Sequence, residues 1–144
     1  MSDWTPEQRR WLRGGLAVLA VTPAWVGIWA TVTPRGFYDN FPGGGHHWVS
    51  AVGAYDEHLV RDVGALYLGS LVLLAFAFAW LDRRLVRAAL VSYAVAAVPH
   101  LVYHATALDH LSTGDAVAEM GGLALNFVLP LALLPVTRRR AVAA

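Results

Sequence analysis

Four stretches of this chain are apolar over the length needed to cross a bilayer, and charged or turn-forming residues separate them. They lie at about residues 14–32, 63–81, 85–108 and 116–136, and Arg87 and Glu119 are the only fixed charges inside them. A hydrocarbon core of about 30 Å needs roughly 20 helical residues, which each stretch supplies. A strand reading fails, because the runs are too long and show no alternation of apolar and polar positions. The expectation is an all-α polytopic membrane protein: a four-transmembrane-helix antiparallel bundle, one domain over residues 1–144, with a long outer loop between helices 1 and 2.

The punctuation is specific. The first stretch follows Arg9, Arg10 and Arg13, ends at Pro34-Arg35-Gly36, and carries Trp11, Trp25 and Trp29, which suit the interfacial ends of a span. The second ends at Trp80-Leu81, where Asp82-Arg83-Arg84 makes a tight turn into the third and forces a hairpin. The fourth opens with Ser112 and Asp115 at capping-box spacing and stops at Arg138-Arg139-Arg140. The first stretch could also be a signal peptide. It is longer than a secretory apolar region of roughly 7 to 15 residues and has no clear small-x-small cleavage site, so it is counted as a span.

Composition agrees: 57% of residues are hydrophobic and 15% charged, which leaves too little polar surface to cover a water-soluble globule. There is no cysteine, which excludes disulfides, thiolate metal sites, iron-sulfur clusters and cysteine nucleophiles; a metal site would have to use histidine and carboxylates. All 11 basic residues are arginine, a usage associated with GC-rich bacterial genomes. The arginines also set an orientation, because positively charged loops stay in the cytoplasm. Arg9, Arg10, Arg13, Arg83, Arg84, Arg87 and the three arginines at 138–140 share the side of the termini, and only Arg35 and Arg61 fall opposite. Both termini are therefore expected in the cytoplasm and the protein in the inner (plasma) membrane.

That orientation puts His46, His47, His58, His100, His104 and His110 on the outer side or in the outer half, with most of the acids. Any site should face outward. The connection from Arg35 to about Leu59 is too long for a simple turn and carries five aromatic residues. It reads either as an aromatic belt in the headgroup layer or as a cap that brings His46 and His47 over the bundle mouth.

The entrance to the second stretch is polar. On a helix Glu57 can pair with Arg61, and His58 with Asp62, since each pair is four residues apart. Arg61 should sit within reach of an acid, with Glu57, Asp62 and Glu119 as candidates, because an unpaired charge near hydrocarbon is costly. Gly64, Gly69 and Ser70 are small enough to admit a neighbouring helix. The run Glu57-His58-Leu59-Val60-Arg61 followed by Gly64-Ala65-Leu66-Tyr67-Leu68-Gly69 resembles the DoxX-like family of small four-helix membrane proteins. The resemblance covers some fifteen residues and implies the four-span plan; much of that family is uncharacterised, so it implies no activity.

The third stretch holds His100 and His104 one turn apart on one face, a spacing that can bind a single metal ion. Pro99 should kink the helix there. Two readings stand: a site, or an interfacial pair hydrogen-bonded to Tyr103 or Glu119. Asn126 reads as interhelical glue. If the features converge, His58, Arg61, Asp62, His100, His104 and Glu119 line one outward pocket. Four function classes follow. The first is a binding or transport-like protein for a small ligand or ion. The second is a metal or haem redox protein, with Zn or Cu on His100 and His104; haem b is disfavoured because two histidines on one helical face cannot ligate the same iron from opposite sides. The third is a structural subunit of a membrane complex, and the fourth a lipid enzyme using histidine and acid groups. No nucleophile motif, phosphate loop or HExxH is present, and the partners expected are the bilayer and a membrane-complex or homo-oligomeric partner, not nucleic acid.

Overall fold

The computed structural model of the protein describes residues 4–138; Arg139 and Arg140, which enter the arginine asymmetry, lie outside the described residues. In order the elements are α1 (Pro6–Val32), α2 (Pro34–Asn40), α3 (Trp48–Val52), α4 (Glu57–Trp80), α5 (Arg83–Ala105) and α6 (Thr113–Leu133), with one-turn 3₁₀ segments at Leu108–His110 and Pro135–Thr137. No strand occurs among the described residues. The segments Pro6–Val32, Glu57–Trp80, Arg83–Ala105 and Thr113–Thr137 are long and apolar enough to cross a membrane.

Each of the four long helices begins where a side chain can satisfy its free N–H groups. Thr5 accepts from the Gln8 amide while Gln8 returns a bond to the Thr5 N–H, a complete capping box that the sequence reading passed over. Asp56, Asp82 and Ser112 cap α4, α5 and α6. At Ser112 the box is only half formed. Its hydroxyl accepts from the Asp115 N–H and donates to Asp115 Oδ2, so the acid does not reach back to the cap's own backbone. The third stretch is also shorter than the 85–108 expected: Thr106 already leaves the helix and Leu108 begins the 3₁₀ turn.

α1 packs along α4 and α5 along α6; the two pairs touch each other far less. They meet at the end that carries the termini. There Leu12, Leu16 and Leu19 of α1, Leu74 and Ala77 of α4, and Val86, Ala89 and Leu90 of α5 form the main buried core, closed by Leu133 of α6. The same end is clasped by polar contacts. Trp4 Nε1 donates to the Leu81 carbonyl at 2.5 Å, Arg83 stacks 3.9 Å over the Trp4 ring and donates to the Thr137 carbonyl, and Gln8 donates to Val136 O at 2.9 Å. Leu81 takes φ of 49°, a left-handed conformation that disfavours a leucine. Its side chain is 2% exposed, so core burial offsets the strain of the tight turn.

At the opposite, loop end the second core joins α1, α2 and α4 through Val26, Ala30, Phe37 and Val60, with Val49 of α3 and Tyr55 packed against it. α1 and α4 approach closely there. A Cβ on Gly64 would lie 2.9 Å from the Thr31 backbone nitrogen, and one on Gly27 3.1 Å from Leu68. Gly69, expected to share this role, has open space around it. Among the described residues this second buried cluster takes in no residue of α5 or α6, so the two pairs share a buried core only at the terminal end.

Candidate functional site

Where the pairs part, a cavity of about 240 Å³ lies between α4, α5 and α6. Its walls are apolar, with Val63 and Leu66 from α4, Ala96 and Ala97 from α5, and Leu123 from α6. Its polar groups are Tyr67 and Ser70 of α4, Tyr93 and His100 of α5, and Asn126 of α6. The helical period explains the set. Tyr93, His100 and His104 fall on the same α5 face as Val86 and Leu90, and Asp115, Glu119 and Asn126 share an α6 face with Leu133. The stripes that build the apolar core at the terminal end thus turn polar toward the loop end.

Several of these groups are fixed. The Tyr93 hydroxyl donates to Asn126 Oδ1 at 2.9 Å, and the Asn126 amide donates to Thr22 Oγ1 at 3.2 Å and to the Gly122 carbonyl at 3.0 Å. This ties α5, α6 and α1 together at the cavity floor, the glue role expected of Asn126. The Ser70 hydroxyl turns back to Leu66 O at 3.0 Å. His100 is different: among the described residues its imidazole has no hydrogen-bond partner, only an edge contact to His104 with ring centroids 4.6 Å apart.

Behind His100, His104 and Glu119 stand in close contact. His104 Nδ1 stands 2.9 Å from Glu119 Oε1, with the two side chains 13% and 7% exposed. The approach is too bent for a hydrogen bond, and neither His104 Nδ1 nor Glu119 Oε2 has a hydrogen-bond partner among the described residues. One turn above Glu119, Asp115 receives the Trp48 indole at 2.8 Å and His46 Nδ1 at 2.6 Å. Through these bonds the long connection folds across to α6. Its Phe37, Phe41 and Trp48 also stack against one another and against Trp25 and Trp29 of α1, which makes it a cap with an aromatic underside. Sequence reasoning marked the aromatic content and the cap alternative, but nothing in spacing points Trp48 at Asp115.

The single pocket expected from the sequence is divided. His58 pairs with Asp62 at 3.3 Å, yet their side chains are 89% and 58% exposed. Around α4, Asp62 lies roughly 100° and His58 roughly 140° from the face of Val63, Tyr67 and Ser70, since each residue advances the helix by about 100°. Arg61 pairs with Glu57 at 2.9 Å and donates to Thr31 O at 2.8 Å, so it belongs to the α1–α4 seam rather than to the cavity. Of the six expected residues, His100 alone lines the cavity, and His104 and Glu119 back it. Among the described residues no three histidine or acid side chains are grouped to hold a metal ion, so the metal reading of His100 and His104 finds no third ligand. Arg35 of α2 bonds Asp39 at 2.7 Å; that hydrogen bond and charge raise its pKa further, making it a fixed cation against Tyr38 and Tyr55. A wider hollow is lined by α1 alone, from Val21 to Thr33, and has the character of an open apolar surface.

No family model, no curated protein and no solved structure matches this chain. The class defined by the fold and the site is that of an all-helical chain with four membrane-length helices and a polar-floored cavity between two helix pairs.

Proposed function

We propose that this chain is a four-span membrane protein, an antiparallel bundle with both ends on the cytoplasmic side of the plasma membrane, and that its cleft binds the head group of a small amphipathic molecule arriving from the bilayer. One observation carries the reading: His100 presents a free imidazole to an apolar-walled cavity in which Ser70, Tyr93 and Asn126 are held by their own bonds. At about 240 Å³ the cavity is small beside the 300–1,000 Å³ of ordinary ligand pockets, so it suits a head group and a few methylenes with the tail left in lipid. Its α4 wall includes Leu66, which is 73% exposed. The four-span plan draws support from the apolar helices and from the resemblance of residues 57–69 to DoxX-like proteins, and the orientation from the arginines.

The test is thermal unfolding in lipid nanodiscs with 1-octanol as the probe. A ligand that binds only the folded state raises the melting temperature in a saturable way. Wild-type protein should show that rise, and Ala97→Phe, which fills the cleft, should not. A response that never saturates, or is equal in the two proteins, would reduce octanol to a bilayer effect and remove the reading.

A further inference from the structure

Resting on that reading of the cleft, we infer that His100, backed by His104 and Glu119, selects a lipophilic weak acid as the ligand and takes up one proton as its anionic head binds. The argument starts from what the cavity lacks. No carboxylate and no arginine line it, so an ammonium head would have no counter-charge there, whereas a carboxylate or phenolate would meet His100. An anion buried in apolar surroundings is tolerated only with a partner cation, and an imidazole becomes one by accepting a proton. The second element is Glu119. It is 7% exposed and among the described residues its Oε2 has no partner, although a buried polar group normally finds one. That oxygen sits beside His104, whose ring touches His100, so the Glu119 carboxyl group stands where its ionised form would meet a positive charge on the histidine pair.

The proton goes to the imidazole of His100, drawn from water, while the head group stays ionised. Glu119 and His104 do not touch the ligand; they act as positioning residues that hold the negative charge behind the imidazolium. The other titratable groups packed around them are Asp115 one turn above on α6, Tyr103 on α5 with its ring centroid 5.4 Å from His104, and His46, which is bonded to Asp115. On the cavity side only Tyr67 and Tyr93 titrate.

Isothermal titration of the whole protein in nanodiscs, with empty nanodiscs as the blank, separates the possibilities. Octanoate and 1-octanol are titrated at pH 7 in buffers of different ionisation enthalpy, which reads the protons exchanged. Wild-type protein should bind octanoate with uptake of close to one proton and octanol with none. Glu119→Gln and His104→Asn should leave octanol binding unchanged and weaken octanoate by about tenfold or more, the size expected for a contact with a charged group. Octanol bound but octanoate refused, or octanoate bound without proton uptake, would overturn the selection of acids while leaving the cleft intact. If neither probe binds, the cleft reading fails and this inference with it. The wild-type proton count needs no variant to fold.

Discussion

Replacing Gly64 with alanine tests the packing that sets the spacing of α1 and α4 beneath the cap. The added Cβ would stand 2.5 Å from Thr31 Oγ1, 2.9 Å from the Thr31 backbone nitrogen and 3.1 Å from Ala30 Cβ. A side-chain oxygen can turn aside, but the nitrogen belongs to the α1 backbone, so the helices themselves must separate. Overpacking of this kind costs about 1–3 kcal/mol, while alanine in place of a mid-helix glycine returns about 1 kcal/mol. Because backbone has to move, the cost falls near the upper end and Gly64→Ala should lose about 1–2 kcal/mol net. Gly69→Ala supplies the control, since nothing lies within 4 Å of the position and only the propensity gain operates. Reversible unfolding in mixed SDS and dodecylmaltoside micelles, followed by tryptophan fluorescence, should move the two midpoints in opposite directions. If both variants shift the same way, or Gly64→Ala is neutral, the close approach of α1 and α4 does not exist and the argument fails.

The other expectations concern the floor, the cap and the topology. Asn126→Leu breaks bonds to Tyr93 and Thr22, and at about 0.6 kcal/mol for each interhelical bond in a membrane the loss should be about 1 kcal/mol by the same unfolding assay, with Tyr93→Phe losing about half. Trp48→Phe or Asp115→Ala should speed amide exchange across residues 41–53, the two changes together adding little to either alone, because both cut the Trp48–Asp115 bond. A reporter inserted at Gly43 to Gly45 should signal outside the cell and one fused after Val136 inside; signals on the same side would end the four-span plan.

What the sequence disclosed follows from what its patterns can encode. The helices were legible because a lipid-spanning segment must be apolar over its whole length, and the hairpin at Asp82 because a two-residue link leaves no other geometry. The i,i+4 pairs Glu57–Arg61 and His58–Asp62 were legible for the same local reason. Which way a face turns was not. His58 and His100 both sit toward the loop end, but Gly64 fixes α4 against α1 and carries His58 away from the cavity that His100 lines. The tie from Trp48 to Asp115 spans 67 residues and the Trp4 clasp on Leu81 spans 77, and no periodicity predicts contacts between a loop and a helix end so far apart. Trp4 belongs to no pattern in the sequence; in the structure it is the keystone of the terminal end.

The central claim, that the helix pairs part at the loop end to leave a cleft for an amphiphile, is tested most directly by photolabelling. Protein in nanodiscs is irradiated with 3-azioctanol, a diazirine-bearing alcohol that inserts into whatever side chain it rests against, and the adducts are mapped by mass spectrometry. The account expects adducts concentrated on Tyr67, Tyr93, Ala97 and His100, displaced by excess 1-octanol and absent from Ala97→Phe. Adducts spread evenly over exposed apolar positions such as Val21, Ile28, Val117 and Leu125, with no competition by octanol, would contradict it.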